Sequence, residues 1–467
     1  MVFNIVPSSI AGLTDYEAAV FQELIGIYAA HHAKNIEKEK YYEGRVSLGE
    51  VNLGIALPQG MKGLEIGCAW GAKCVDVLAA RSMFDGFVGV NGESDEQLDQ
   101  IVVNNRLIAE YMKACRDELK YGCTFATLGG DREHGCKIRF HSPNTAAAKW
   151  DGNKGRIAYG MAIIDAAPNS LISDTPDAAW EPSVINLYLD YAVIVFTRVG
   201  NVWGFERFQH KMGRPLMEPL IWNATSAKPF GRSRIKEPIR RLIQGYVRTI
   251  ANATIGLEFA TAPQKYLLGV TDDQYDVLIN QKFKQYVGNI IAATTNPETG
   301  EKPTFGQLAQ GSISAHTEML RNLATQFSAA TGLTVTDTGV VTEANPASSD
   351  AILAQSQTLV AMAEQLNVGN GDALRTIALM AIAITNNVTM EDLTDDQKDI
   401  IAHFKNPAMP SVAVTADAAI KIASVRSGFA STDTFLEMVG FDQAEIRRIN
   451  AQEQRARGRA TLEELGI

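Results

Sequence analysis

Apolar residues recur along this chain with two periods, and the changes between them separate helical from strand-forming stretches. Over residues 14–40, Phe21, Leu24, Ile25 and Tyr28 fall on one helical face, because residues three and four apart stack along a helix. Thr14 and Glu17 stand ahead of that run at capping-box spacing. The Gly-containing segment YYEGRVSLGEVNLGIALP (41–58) follows and ends on Pro58. A second helix is predicted over 70–84, with Val75, Leu78 and Ala79 on one side, and a third over 94–120.

From about 121 to 222 the period shortens. KIRFH, GRIAYGMAII, INLYLDYAVIVFTRVG and VWGFERFQH alternate or run apolar and are rich in β-branched and aromatic residues, the composition of strands. WDGNKG between two of them has the turn chemistry of a hairpin. Helical spacing returns at 236–256, and PQKYLLG (263–269) is again strand-like. Thr271 and Gln274 match a second capping box, opening a helix to about Val287. After a turn-rich break, TTNPETGEKPTFGQL (294–308), a helix is predicted from Ser312 to Ala330, with Ile313, Leu320, Leu323 and Phe327 in register and Gly332 as its terminator. Residues 333–349 read as a loop. Helices at 349–366 and 372–387 come next, then short helices joined by Gly and Pro breaks, the last opened by Asp442 and Glu445.

A β-rich layer within a mostly helical chain indicates the α+β class. The 467 residues can support several cores. Five cysteines, all in the first third, have no regular spacing, which suits a reducing compartment better than a disulfide framework. Residues 1–13 lack a basic region followed by an apolar core, so no secretory signal is expected. The most apolar stretch, Leu374 to Thr385, contains Arg375 and is too short to span a bilayer, so no membrane partner is expected. A net charge of −10 disfavours a static clamp on nucleic acid phosphates but is compatible with a low-friction conduit.

Six segments, in order, carry a family likeness: YYEGRVSLGEVNLGIALP, VDVLAARSMFDGF, FGRSRIKEPIRRL, FATAPQKYLLG, PTFGQLAQGS and ANPASSDAI. Together they resemble the portal proteins of long-tailed (siphovirus-type) double-stranded DNA bacteriophages, over about residues 15–440. The pair of Gly-Arg-Ser-Arg before a helix and Ala-Pro-Gln-x-Tyr after it is the most specific feature. The resemblance implies a homo-oligomeric ring of about twelve subunits at one capsid vertex, through which DNA is packaged and ejected. It implies a wing at 1–269, stem helices within 270–332 around a short clip at about 289–311, a tunnel loop and returning helices at 333–387, and a helical crown at 388–467. By the same likeness, Asp337, Thr338, Thr342, Glu343, Asn345, Ser348 and Ser349 would face the DNA channel. Asn296, Pro297, Glu298, Thr299, Gly300, Glu301 and Lys302 would dock the terminase large subunit and later the head–tail adaptor. Arg455, Arg457 and Arg459 are candidates to meet packaged genome. Major capsid and scaffold proteins would be further partners, in a virion component assembled in the host cytoplasm. No catalytic residue, cofactor or metal is expected.

Two other readings compete. LEIGCAWGAK (64–73) resembles the glycine-rich motif of S-adenosylmethionine-dependent methyltransferases, with Glu65, Gly67 and Gly71 in place and Ala69 where a glycine belongs. An enzyme built on 60–150 would need parallel βαβ units. A non-ring capsid assembly protein would use the same helices without a channel. Cys123, His134, Cys136 and His141 lack paired-cysteine zinc spacing and read as structural. The basic cluster Arg232, Arg234, Lys236, Arg240 and Arg241 reads mainly as interface or surface ion pairs.

Overall fold

The computed structural model describes residues 5–47, 65–89, 96–131, 135–168, 180–200, 202–261, 265–268, 300, 302, 304–307, 314–339, 349–408, 412–426 and 428–464. Helix α1 (Asp15–Tyr42) opens on the expected capping box: Thr14 Oγ1 accepts from the Glu17 amide and Glu17 accepts from the Thr14 amide. Strands β1 (Arg45–Ser47) and β2 (Glu65–Gly67) pair antiparallel ahead of helix α2 (Trp70–Ala79). The helix predicted over 70–84 therefore stops at Ala79, and β3 (Phe84–Gly89) follows.

The helix predicted over 94–120 is two helices, α3 (Glu96–Asn104) and α4 (Leu107–Tyr121). Asn105 is the cause. Its side chain donates to the Ile101 and Cys136 carbonyls, both at 3.0 Å, and accepts from the Ile138 amide at 2.8 Å. Arg106 then takes a left-handed conformation, φ 50°, which no helix interior accommodates.

Strands β4 (Cys123–Asp131) and β5 (Gly135–His141) pair, and β6 (Ala146–Asp151) to β7 (Arg156–Pro168) is the hairpin read from WDGNKG. INLYLDYAVIVFTRVG divides into β8 (Trp180–Tyr188) and β9 (Ala192–Val199), and β10 (Val202–Gln209) completes a five-stranded meander, β10-β9-β8-β7-β6. Strand β11 (Met217–Ile221) joins β4 and β5 in a second sheet. Every strand pairing among the described residues is antiparallel.

Helix α5 (Glu237–Thr261) leads to β12 (Lys265–Leu268), which pairs with β13 (Thr304–Gln307) before helix α6 (Ser314–Thr331). Gly332 follows α6 with φ 74°, and its amide bonds the Ser328 carbonyl at 2.8 Å, the expected terminator. Instead of two helices at 349–366 and 372–387, one 38-residue helix, α7 (Ser349–Asn386), runs unbroken through Gly369 and Gly371. The Phe404 ring would lie 3.6 Å from a Cβ at 371, an ordinary contact, so crowding does not demand glycine there. Burial of Leu366, Leu374 and Ile377 on the same helix offsets the roughly 1 kcal/mol that each helical glycine costs.

Beyond the short helix α8 (Asp395–Lys398), strand β14 (Ile400–Phe404) returns to pair with β3. The C-terminal 80 residues are thus not wholly helical. Helices α9 (Val412–Val425), α10 (Asp433–Val439) and α11 (Gln443–Glu464) end the chain, the last capped by Asp442 and Glu445 as expected.

Two apolar cores hold these elements. In the smaller, α1 lies on the meander, with Phe21 stacked on Phe196 at 4.5 Å beside Leu24, Met161 and Leu187. In the larger, α2, α4 and α7 gather around the three-stranded sheet. Strand β4 is buried at six successive positions, so both its faces are covered. The fold mixes helix and sheet, as the α+β expectation requires.

Candidate channel and docking segments

The Gly-Arg-Ser-Arg segment organises the base of a helical pair. Gly231 has φ 68°, and a Cβ there would stand 2.1 Å from the Trp222 carbonyl oxygen, so only glycine fits. The turn this allows puts Ser233 against the Lys120 carbonyl and sends Arg234 inward. Its guanidinium donates to the Cys74 carbonyl in α2 and, at 2.7 Å, to the Thr331 carbonyl at the C-terminus of α6. A cation at that helix end satisfies a carbonyl the helix leaves unpaired and suits its dipole. Arg234 is therefore buried, not part of a surface patch. Arg240 pairs with Glu37 at 2.6 Å and Arg241 with Glu237 at 2.5 Å, in line with ion pairing.

Helices α5 and α6 pack against each other, with Gly245 of α5 close to Leu323 of α6. Trp70 wedges against both: its ring centroid is 4.4 Å from that of Tyr246 and 4.7 Å from that of Phe327. Beyond the far ends of the pair, Lys265↔Gln307 and Leu268↔Thr304 bring the chain together again. Residues 269–303 therefore leave and re-enter through neighbouring strands. The helix expected at 271–287 lies outside the described residues, and the partner that packs on α6 is α5.

The sequence-predicted site residues fall unevenly. Asp337 and Thr338 sit in a short 3-10 turn after α6. The Asp337 carboxylate accepts from the Thr334 amide at 3.0 Å and its hydroxyl at 2.8 Å. Thr338 is buried, and its carbonyl accepts from Trp70 Nε1 at 3.1 Å. Thr338 thus anchors the loop to α2, while Asp337 closes its own turn. Thr342, Glu343, Asn345 and Ser348 lie outside the described residues, and Ser349 is the first residue of α7. Asn296, Pro297, Glu298, Thr299 and Glu301 also lie outside them. Gly300 takes φ 70° and Lys302 is exposed. Arg455 and Arg459 are exposed on α11, and Arg457 is 3.4 Å from Glu453. Arg447, on the same helix, holds Asp99 of α3, with its second contact at 3.0 Å. Sequence reading missed Trp70 and Arg234 as anchors, since a lone Trp and an arginine within a basic run carry no local sign of burial.

The rival motifs have structural uses. LEIGCAWGAK does form strand, turn and helix, but β2 pairs antiparallel with β1, unlike the parallel unit a nucleotide-type site needs. A Cβ at Gly71 would lie 1.9 Å from the Tyr41 carbonyl oxygen, so that glycine marks the contact between α1 and α2. Cys123 and Cys136 are buried thiols pushed up to about 12 by desolvation. Burial, aided by Arg139, holds His141 down to about 4, and its Nε2 is 3.0 Å from Thr127 Oγ1. His134 lies outside the described residues, among which no group of three metal-ligating side chains occurs.

A family model described as "Phage portal protein, SPP1 Gp6-like" matches residues 23–459. The chain belongs to that phage portal family. Portal proteins of this family are virion components with a structural role, and no helix among the described residues is long and apolar enough to cross a membrane. Among solved structures, the chain is similar to one titled "Neck of empty GTA particle computed with C6 symmetry", at 14% identity and TM-score 0.46. That match covers 77% of this chain and 87% of the other. A second, "Neck of native GTA particle computed with C12 symmetry", matches at 13% identity and TM-score 0.45, covering 88% and 99%. Comparison with the curated proteins returns no match.

Proposed function

We propose that this portal protein assembles head to tail into a ring of about twelve subunits, whose central channel passes double-stranded DNA into and out of the capsid. The supporting observation is the packed pair α5 and α6, with the excursion between them closed by β12 and β13. Around an axis, such a pair makes one stave of a tube wall and places the excursion at the tube's end. The stem is accordingly drawn as 237–261 with 314–331, and the docking clip as 262–313, a larger clip than the sequence suggested. Asn296, Pro297, Glu298, Thr299, Gly300, Glu301 and Lys302 remain within it as the surface for the terminase large subunit and the head–tail adaptor.

The channel-facing part of the loop narrows to Thr342, Glu343, Asn345, Ser348 and Ser349, because Asp337 and Thr338 are committed to their own turn and to α2. Arg455, Arg457 and Arg459 on α11 would meet packaged DNA in the crown, drawn here as 412–464. An acidic chain with small polar loop residues offers sliding DNA few phosphate-holding groups, which favours passage over retention. Hydrolysis of ATP would be left to the terminase.

The adjacent ends of Leu268 and Thr304 allow residues 269–303 to be replaced by a short Gly-Ser turn. Rings should still form, while DNA packaging into capsids falls to background and terminase no longer binds. Ordinary packaging by that variant would contradict the docking assignment.

A further inference from the structure

A cavity of about 640 Å³ lies between α1 and the segment 228–240, which runs into the first turn of α5. Its floor is apolar and aromatic, including Phe125, Ala147 and Phe230. Its rims are cationic. Along α1, His31, Lys34 and Lys38 line one side at helical spacing; Lys228, Arg232 and Lys236 line the other.

The two carboxylates at the cavity are already engaged. Glu37 pairs with Arg240 at 2.6 Å, and Glu237 pairs with Arg241 at 2.5 Å on the following turn. Lys38 Nζ donates to the Tyr121 carbonyl at 3.0 Å and to Asn35 Oδ1 at 3.2 Å, both neutral acceptors. Among the described residues, no carboxylate forms a salt bridge with Lys34, Lys38, Lys228, Arg232 or Lys236. Cations facing each other across a partly enclosed space repel, and low dielectric strengthens the repulsion. Burial, with Arg240 and Lys34 nearby, draws the Lys38 ammonium below its ordinary range, and burial with Lys34 and Lys38 does the same to His31.

We propose that this cavity is a binding site for a small multivalent phosphate-class anion, held between the two cationic rims over the aromatic floor. The volume suits a ligand of nucleotide or polyphosphate size. A nucleic acid duplex is too wide to enter and would reach only the rim. Lys38 and Arg232 would contact the anion within the cavity, Lys34 and Lys236 would contact it at the mouth, and the site would tie α1 to the start of α5.

Isothermal titration of the assembled protein with inorganic tripolyphosphate, at constant ionic strength, tests this. One saturable site per subunit is expected. The double variant Lys34→Gln with Lys236→Gln should weaken it by about tenfold or more, the loss of two charge-assisted contacts. Without ligand, that variant should melt no lower than the parent, because it removes repulsion and leaves buried groups in place. Lys34→Gln alone, at an exposed position, gives the same test in a protein with a single surface change. Tripolyphosphate heats no larger than those of sodium chloride would overturn the proposal. So would equal affinity in parent and variants, or binding of a short DNA duplex, but not tripolyphosphate, that depends on these lysines.

Discussion

Glu118 is fully enclosed between α4 and α7, where Asn370 Nδ2 reaches one carboxyl oxygen at 2.8 Å and the Tyr111 hydroxyl at 2.9 Å. Ser82 extends the network, 2.7 Å from the Tyr111 hydroxyl and 2.6 Å from Asn367 Oδ1. Glu118 Oε1 and Asn370 Oδ1 are both buried acceptors without a donor. Burial raises the Glu118 carboxyl from its ordinary 4.5 to about 8. A carboxyl kept protonated carries the O–H that this acceptor-rich corner lacks. Between those two values the folded chain holds a proton that the unfolded chain has released, so stability falls as pH rises through that window and levels above it. Glu118→Gln keeps the shape, supplies N–H donors and removes the titration. Its melting temperature should therefore vary less from about pH 5 to about pH 9, and at the upper end it should exceed the parent by on the order of 1–2 kcal/mol in stability. Parallel melting curves for the two proteins across that range would show that Glu118 is not the titrating group.

Elements here are joined by main-chain carbonyls reached from a distance, and Arg234 is the main example, spanning from Cys74 in α2 to Thr331 at the end of α6. Arg234→Ala would leave the Thr331 carbonyl unpaired and empty the space beside Trp222, so a loss of about 3 kcal/mol is expected. Arg234→Lys should recover only part of it, since an ammonium cannot copy the planar fork. Chemical unfolding of the two variants checks this; an alanine variant as stable as the parent would contradict it. The same long-range character explains what the sequence could reveal. The capping boxes at Thr14 and Asp442 involve residues three apart, and both are present as read. The WDGNKG hairpin is equally local, with Asp151 Oδ1 accepting from the Asn153 amide at 2.9 Å. Strand β14 was missed because its partner β3 lies some three hundred residues earlier. The split at Asn105 depends on Cys136 and Ile138 of another strand, and α7 runs unbroken through two glycines while burying Leu366, Leu374 and Ile377 in a core built from distant segments. The basic run at 232–241 could be read as charge, but its division into a buried anchor and a cavity rim could not.

At the scale of the molecule, one core places α1 on the meander and the larger one gathers α2, α4 and α7 around β4, while the α5–α6 pair rests on Trp70 and Arg234. Membership of the portal family fixes the protein as a structural component of a phage particle. In the proposed ring the pair is one stave: two antiparallel helices with an apolar seam would need repeats of themselves to become a wall, and a heterologous contact closes only at a fixed number of copies. Electron microscopy of the purified, assembled protein tests this most directly. Particles seen end-on should be annuli of about twelve subunits around an open centre, with the 262–313 segment protruding from one end. A population made only of monomers or closed, holeless particles, under every assembly condition tried, would contradict it.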